Sequence, residues 1–79
     1  MVIRVSIETA KQYASGYETK ARVEYKDTLV EAYSYFFMAC SRAMVAVNED
    51  DSDIDVCLYV GDELERYVHF ASHGLVWYK

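Results

Sequence analysis

The amino-acid sequence predicts an α+β fold: an antiparallel sheet of about five strands, in the order ββαβββ, with one long helix packed on one face. Three observations predict it. Residues 2–9 and 17–26 alternate side-chain character, the period of a half-buried strand. Residues 28–47 follow, with fifteen of twenty positions hydrophobic and only Glu31 and Arg42 charged. Beyond an acidic connection, three short stretches alternate again. Seventy-nine residues without proline make one compact domain, and 53% hydrophobic residues argue against disorder.

The elements justify themselves in turn. In the first strand Ile3, Val5 and Ile7 point one way, with Arg4, Ser6 and Glu8 the other. Residues 10–16 read as a loop with a helical turn near residues 11–14. In the second strand Tyr17, Thr19, Ala21, Val23 and Tyr25 share a face. Glu18, Lys20, Arg22, Glu24 and Lys26 form a charged outer side, so Val23 is expected under the helix. Thr28-x-x-Glu31 is a capping box, and Asn48 is the expected C-cap of a helix over residues 28–47. A bulky arc holds Leu29, Val30, Tyr33, Phe36, Phe37, Cys40, Met44 and Val47. That arc is expected to cover the sheet. Beside it runs a stripe of Ala32, Ala39, Ala43 and Ala46. The stripe, Met38 and Val45 are left for a partner helix, or for the loop at residues 10–16, to cover.

Residues 54–60 and 64–70 form a hairpin. Its hydrophobic pattern favours a three-residue loop, Gly61-Asp62-Glu63, over the commoner two-residue turn. The longer loop opposes Val60 to Leu64 and Val56 to Val68, sets Leu64, Val68 and Phe70 inward, and leaves Arg66 opposite Leu58. After a turn at residues 71–74, a last strand over residues 75–79 sets Leu75 and Trp77 inward, with Val76 and Tyr78 outward.

Charge is uneven. Residues 1–26 carry a balance of +2 and residues 27–79 one of −7. Eight acids lie between Glu49 and Glu65 with no base among them. Phosphate is repelled by such a surface, which argues against direct nucleic-acid binding, whereas a basic protein is attracted. Cys40 and Cys57 match no zinc or redox spacing and read as reduced thiols of a cytoplasmic protein. Arg4 and Glu8 interrupt the first apolar stretch, so no signal peptide is expected. Glu31 and Arg42 interrupt the helix, so no membrane span is expected either.

No motif indicates catalysis, a cofactor or a metal, and the chain reads as a non-enzyme. Asp51-x-Asp53-x-Asp55 resembles the start of a calcium loop, but Val56 stands where glycine is needed and Asp62 where glutamate is. His69 and His73 lack a paired nucleophile, and the three glycines lie too far apart to cradle a phosphate.

A binding surface is the stronger signal. The open face of the sheet is expected to carry Asp55, Cys57, Tyr59, Glu65, Tyr67, His69, Val76 and Tyr78, with only charges on its N-terminal strands. Tyrosine supplies aromatic anchors, and carboxylates supply a polar rim. The expected partner-binding residues are Asp50, Asp51, Asp53, Asp55, Tyr59, Glu63, Glu65, Tyr67, His69 and Tyr78. The carboxylates stand in for phosphates, so the expected partner is a basic, nucleic-acid-handling protein that the chain blocks. In size and composition the chain is similar to the small inhibitors carried by phages and mobile elements, anti-CRISPR proteins among them. No motif carries that resemblance, which implies an inhibitor acting in the host cell cytoplasm. The alternative is a homo-oligomeric structural module, a homodimer through the alanine stripe or the tyrosine face.

Overall fold

The computed structural model describes residues 1–50, 52–71 and 76–78. The elements run β1 (Ile3–Tyr13), β2 (Gly16–Lys26), α1 (Leu29–Asp50), β3 (Asp53–Val60), β4 (Glu63–Phe70) and β5 (Val76–Tyr78). The fold is α+β, with one helix against an antiparallel sheet ordered β2-β1-β3-β4-β5. The sequence predicts about five strands. The sheet proper has four, of eight to eleven residues, and β5 adds only a three-residue pairing at the end of β4. The helix links β2 to β3, which run parallel on either side of β1.

The loop expected at residues 10–16 is instead strand and tight turn. β1 continues to Tyr13, which pairs with Gly16 across a two-residue connection. Gly16 has φ 145°, a conformation that other residues rarely adopt. This turn sets the parity of the hairpin. Ile3 faces Lys26, Val5 faces Glu24 and Ile7 faces Arg22. The charged side of β2 therefore lies on the helix side, the reverse of the expectation. Val23, expected in the core, pairs with Ser6 on the open face and is 44% exposed. The reversal is inexpensive because β2 is an edge strand. The helix packs chiefly over β1 and β3, so the charges of β2 stay in water.

A similar contest plays out in the second hairpin. The structure takes the two-residue Gly61-Asp62 turn, pairing Val60 with Glu63 and Tyr59 with Leu64. A bulge between Leu58 and Tyr59 then restores the inner pairs Ile54–Phe70 and Val56–Val68. Glu65 is the extra residue. Leu64, expected inward, becomes the neighbour of Tyr59, and Glu65 turns to the helix side. Both the favoured turn and the hydrophobic pattern are kept, at the cost of one irregular step. Gly61 sits at φ 62°, with nothing near the place a Cβ would occupy. Its amide donates to Val2 O at 2.7 Å.

The Thr28 half of the predicted capping box forms, with Glu31 N–H donating to Thr28 Oγ1 at 3.2 Å. Asn48 does not cap. Its Nδ2 donates to Met44 O at 3.1 Å, and the helix runs on to Asp50. The helix is also rotated from the expected orientation. Ala32, Phe36, Ala39, Ala43 and Val47 are buried against Ile3, Val5, Ile54, Val56, Leu58 and Phe70. Phe37 is 61% exposed and Val30 77%. Small side chains let the helix axis come close to the sheet, which raises packing density. The bulky arc would hold it off. The loop proposed as a cover for the alanines is not needed.

β5 is offset by one residue from the expected pairing. Val68 pairs with Tyr78 and His69 with Trp77. The turn at residues 72–74, Leu75 and Lys79 lie outside the described residues.

Two substitutions test the helix orientation. Ala32→Leu, at a fully buried position, should destabilise by about 1–3 kcal/mol through overpacking. Val30→Ala, in the exposed part of the bulky arc, should change stability by no more than about 0.5 kcal/mol. Urea denaturation reads both, and the opposite ranking would mean that the bulky arc packs inward. Gly61→Ala should cost about 1–2 kcal/mol, because alanine disfavours positive φ while no contact is disturbed.

Candidate functional site

The face of the sheet away from the helix has no cover from any described element, and antiparallel sheets normally keep such a face polar. Here two of three cross-strand rows carry aromatic and apolar groups instead. Arg4 pairs with Tyr25 on one side and Tyr59 on the other, with Leu64 beyond. Ser6 lies between Val23 and Cys57, with Tyr67 beyond. Glu8 lies between Ala21 and Asp55, with His69 beyond.

Asp55 organises the centre. Its Oδ1 accepts from Tyr67 OH at 2.7 Å and from His69 Nδ1 at 2.5 Å. One carboxylate oxygen thus ties two aromatic side chains of β4 to β3, across the direct pair and the diagonal one. At the next row the Arg4 guanidinium sits 4.2 Å from the centre of the Tyr59 ring, and its Nη1 donates to Gly61 O at 3.4 Å. Ser6 is small enough to disappear between its larger neighbours.

The structure brings together Asp55, Tyr59, Tyr67 and His69 from the predicted set. It removes others. The Glu65 carboxylate accepts from Tyr33 OH at 2.9 Å, on the helix side. The Tyr78 backbone pairs with Val68, out of the Tyr67 row. Glu63 is exposed at the hairpin tip, Asp53 begins β3 at the far end, and Asp50 ends the helix. Asp51 lies outside the described residues. β3 alone spans about 24 Å from Asp53 to Val60. The acidic run is therefore distributed over both poles and both faces, and does not form one phosphate-like array. The pattern reading set Arg4 and Ser6 on this face, as found, but missed Val23 and Tyr25, which it assigned to the helix side. The Ser15-Gly16 dipeptide, a tight-turn signal, marks the parity that places Val23 and Tyr25 there.

A second concavity lies between helix and β2, where Ala39, Ala43 and Ala46 are too short to fill the space. It has a volume of about 420 Å³, with Ile7 and Ile54 in its lining and Lys20, Arg22 and Arg42 among its charged residues. This is where the reversed charges of β2 collect. The Lys26 ammonium likewise sits 4.7 Å from the Tyr35 ring of the helix.

Burial pushes the Cys40 thiol up to about 11, and burial, with Asp55 and Glu8 adding to it, raises Cys57. Raised thiols are poor nucleophiles at neutral pH. Among the described residues no three His, Cys, Asp or Glu side chains converge as a metal site. No described helix is long and apolar enough to cross a membrane. Comparison with protein-family models, curated proteins and solved structures gives no match.

The hydrogen bond to Asp55 and partial burial push the Tyr67 phenol from 10.0 up to about 12. Folding thus favours the neutral phenol, a contribution present below pH 10 and lost as pH climbs toward 12. In tyrosine-labelled NMR, Tyr67 should titrate near 12 and fall toward 10 in Asp55→Ala. An unchanged midpoint in that variant would show that Asp55 is not the cause.

Proposed function

We propose that the chain is a non-catalytic interaction module whose open sheet face docks on a basic surface of another protein and occludes it. The observation that carries this reading is the character of that face. Tyr25, Val23, Cys57, Tyr59, Leu64 and Tyr67 occupy a side that nothing in the described chain covers. Tyr25 is 67% exposed. Tyrosine anchors of this kind carry much of the energy of known interfaces.

Charge supports the sign of the partner. The parity of β2 moves Lys20, Arg22 and Lys26, with Glu18 and Glu24, to the helix side, leaving Arg4, Glu8 and Asp55 on the open face and Asp62 and Glu63 at its tip. The Asp55–Tyr67–His69 bonds hold the anchors in place before binding, which lowers the entropy lost on docking. A partner that handles nucleic acid would present such a basic surface, and covering it would inhibit the partner. The scattered acids favour general attraction over point-by-point phosphate replacement.

Capture of the partner at low and high salt tests the reading. Tyr25→Ala should weaken capture by about tenfold, which corresponds to about 1.4 kcal/mol, with thermal stability unchanged. Glu8→Lys combined with Glu63→Lys should weaken it further and flatten its salt dependence. Capture indifferent to salt and to both variants would rule out the electrostatic docking.

A further inference from the structure

We infer that the outward face of α1 is the seam of a twofold homodimer, with two copies of the helix antiparallel and crossing at Phe37. Val30, Ser34, Phe37, Ser41, Met44 and Asn48 advance by alternating steps of four and three, which keeps one straight stripe along a helix. All six are exposed on the side away from the sheet. The stripe runs about 21 Å from Val30 to Met44.

Two of its three polar members already bond within the helix. Ser41 Oγ donates to Phe37 O at 3.1 Å, and Asn48 Nδ2 donates to Met44 O at 3.1 Å. Ser41 therefore keeps its hydrogen bond when the stripe is dried, and Asn48 lies beyond the Val30–Met44 contact.

The occupant is a second copy because the stripe is self-complementary. An isologous contact requires that what lies before the axis matches what lies after it. Reading outward from Phe37, each direction meets a serine and then an apolar side chain, Val30 one way and Met44 the other. Each Phe37 ring can settle over the small serines of the facing helix. On one flank Glu31 stands six residues before Phe37 and Arg42 five after it. Among the described residues neither has an ion-pair partner in its own chain. Antiparallel helices bring Glu31 beside Arg42 of the second copy, and the twofold axis makes that pair twice. Parallel helices would put the two identical flanks on opposite sides of the seam and leave both charges unpaired. The rest of the molecule carries a net charge of −5, so copies repel elsewhere and meet best on this charge-balanced face. A seam one helix wide is at the small end of stable interfaces, so the dimer dissociates on dilution.

Sedimentation equilibrium over a concentration series tests the dimer. The wild-type mass should approach twice the chain mass at high concentration and halve on dilution. Phe37→Glu, at an exposed position, should give the single-chain mass throughout with an unchanged circular dichroism spectrum. Glu31→Arg should weaken association by about tenfold, and adding Arg42→Glu should restore it. A wild-type monomer at the highest concentration overturns the inference, as does a dimer that tolerates Phe37→Glu. If Phe37→Glu fails to fold, the charge pair decides. Loss without rescue excludes the antiparallel seam, and rescue supports it. Neither outcome bears on the open sheet face, which the helix does not touch.

Discussion

Each tight hairpin turn in this sheet imposes a pairing parity on the strands it joins. Side chains alternate faces with a period of two, so one residue more or fewer in a turn reverses every side chain downstream. The two-residue turn between Tyr13 and Gly16 does this to β2. It sends Lys20, Arg22 and Lys26 toward the helix and brings Val23 and Tyr25 to the open face. The Gly61-Asp62 turn does the same at the start of β4, until the bulge at Glu65 corrects it. The composition of both faces follows from these two connections.

The second consequence concerns the helix. β1 and β3 offer a flat floor of Ile3, Val5, Ile54, Val56 and Leu58. Against it α1 sets alanines, with Phe36 and Val47 as the large groups. A fully buried Leu58 contributes about 1.5–3 kcal/mol, and close approach of the helix is what seals it. Glu65, freed to the helix side by the bulge, bonds Tyr33 and fixes the rotation at one edge. The bulky residues left outside, Val30, Phe37 and Met44, are the consequence of choosing the alanines.

These two outcomes give the molecule two unlike surfaces. One is an aromatic sheet face with acids around it, held in place through Asp55. The other is a charge-balanced helix face with mirror-related ends. Opposite orientations within one two-layer domain allow both to be occupied at once. A dimer through the helix would present two sheet faces outward, and two linked docking faces bind a repeated target far more tightly than one.

Much of this was legible in the chain itself. The strand alternation, the Thr28 cap, the pairs Val56–Val68, Cys57–Tyr67 and Asp55–His69, and so the heart of the candidate site, follow from local periodicity and hydrophobic pattern. The side of β2 did not follow, because its two faces are both plausible until the turn length is known. Leu64 and Glu65 exchanged sides because turn preference and burial pattern conflicted, and only a bulge satisfies both. The rotation of the helix was also undecided, since a helix hydrophobic nearly all round offers several faces of similar apolarity. Periodicity ranks side chains by their affinity for water, and it determined which segments form the layers. Which face each layer turns inward depends on how closely the backbones can approach, and that was decided only when helix and sheet met.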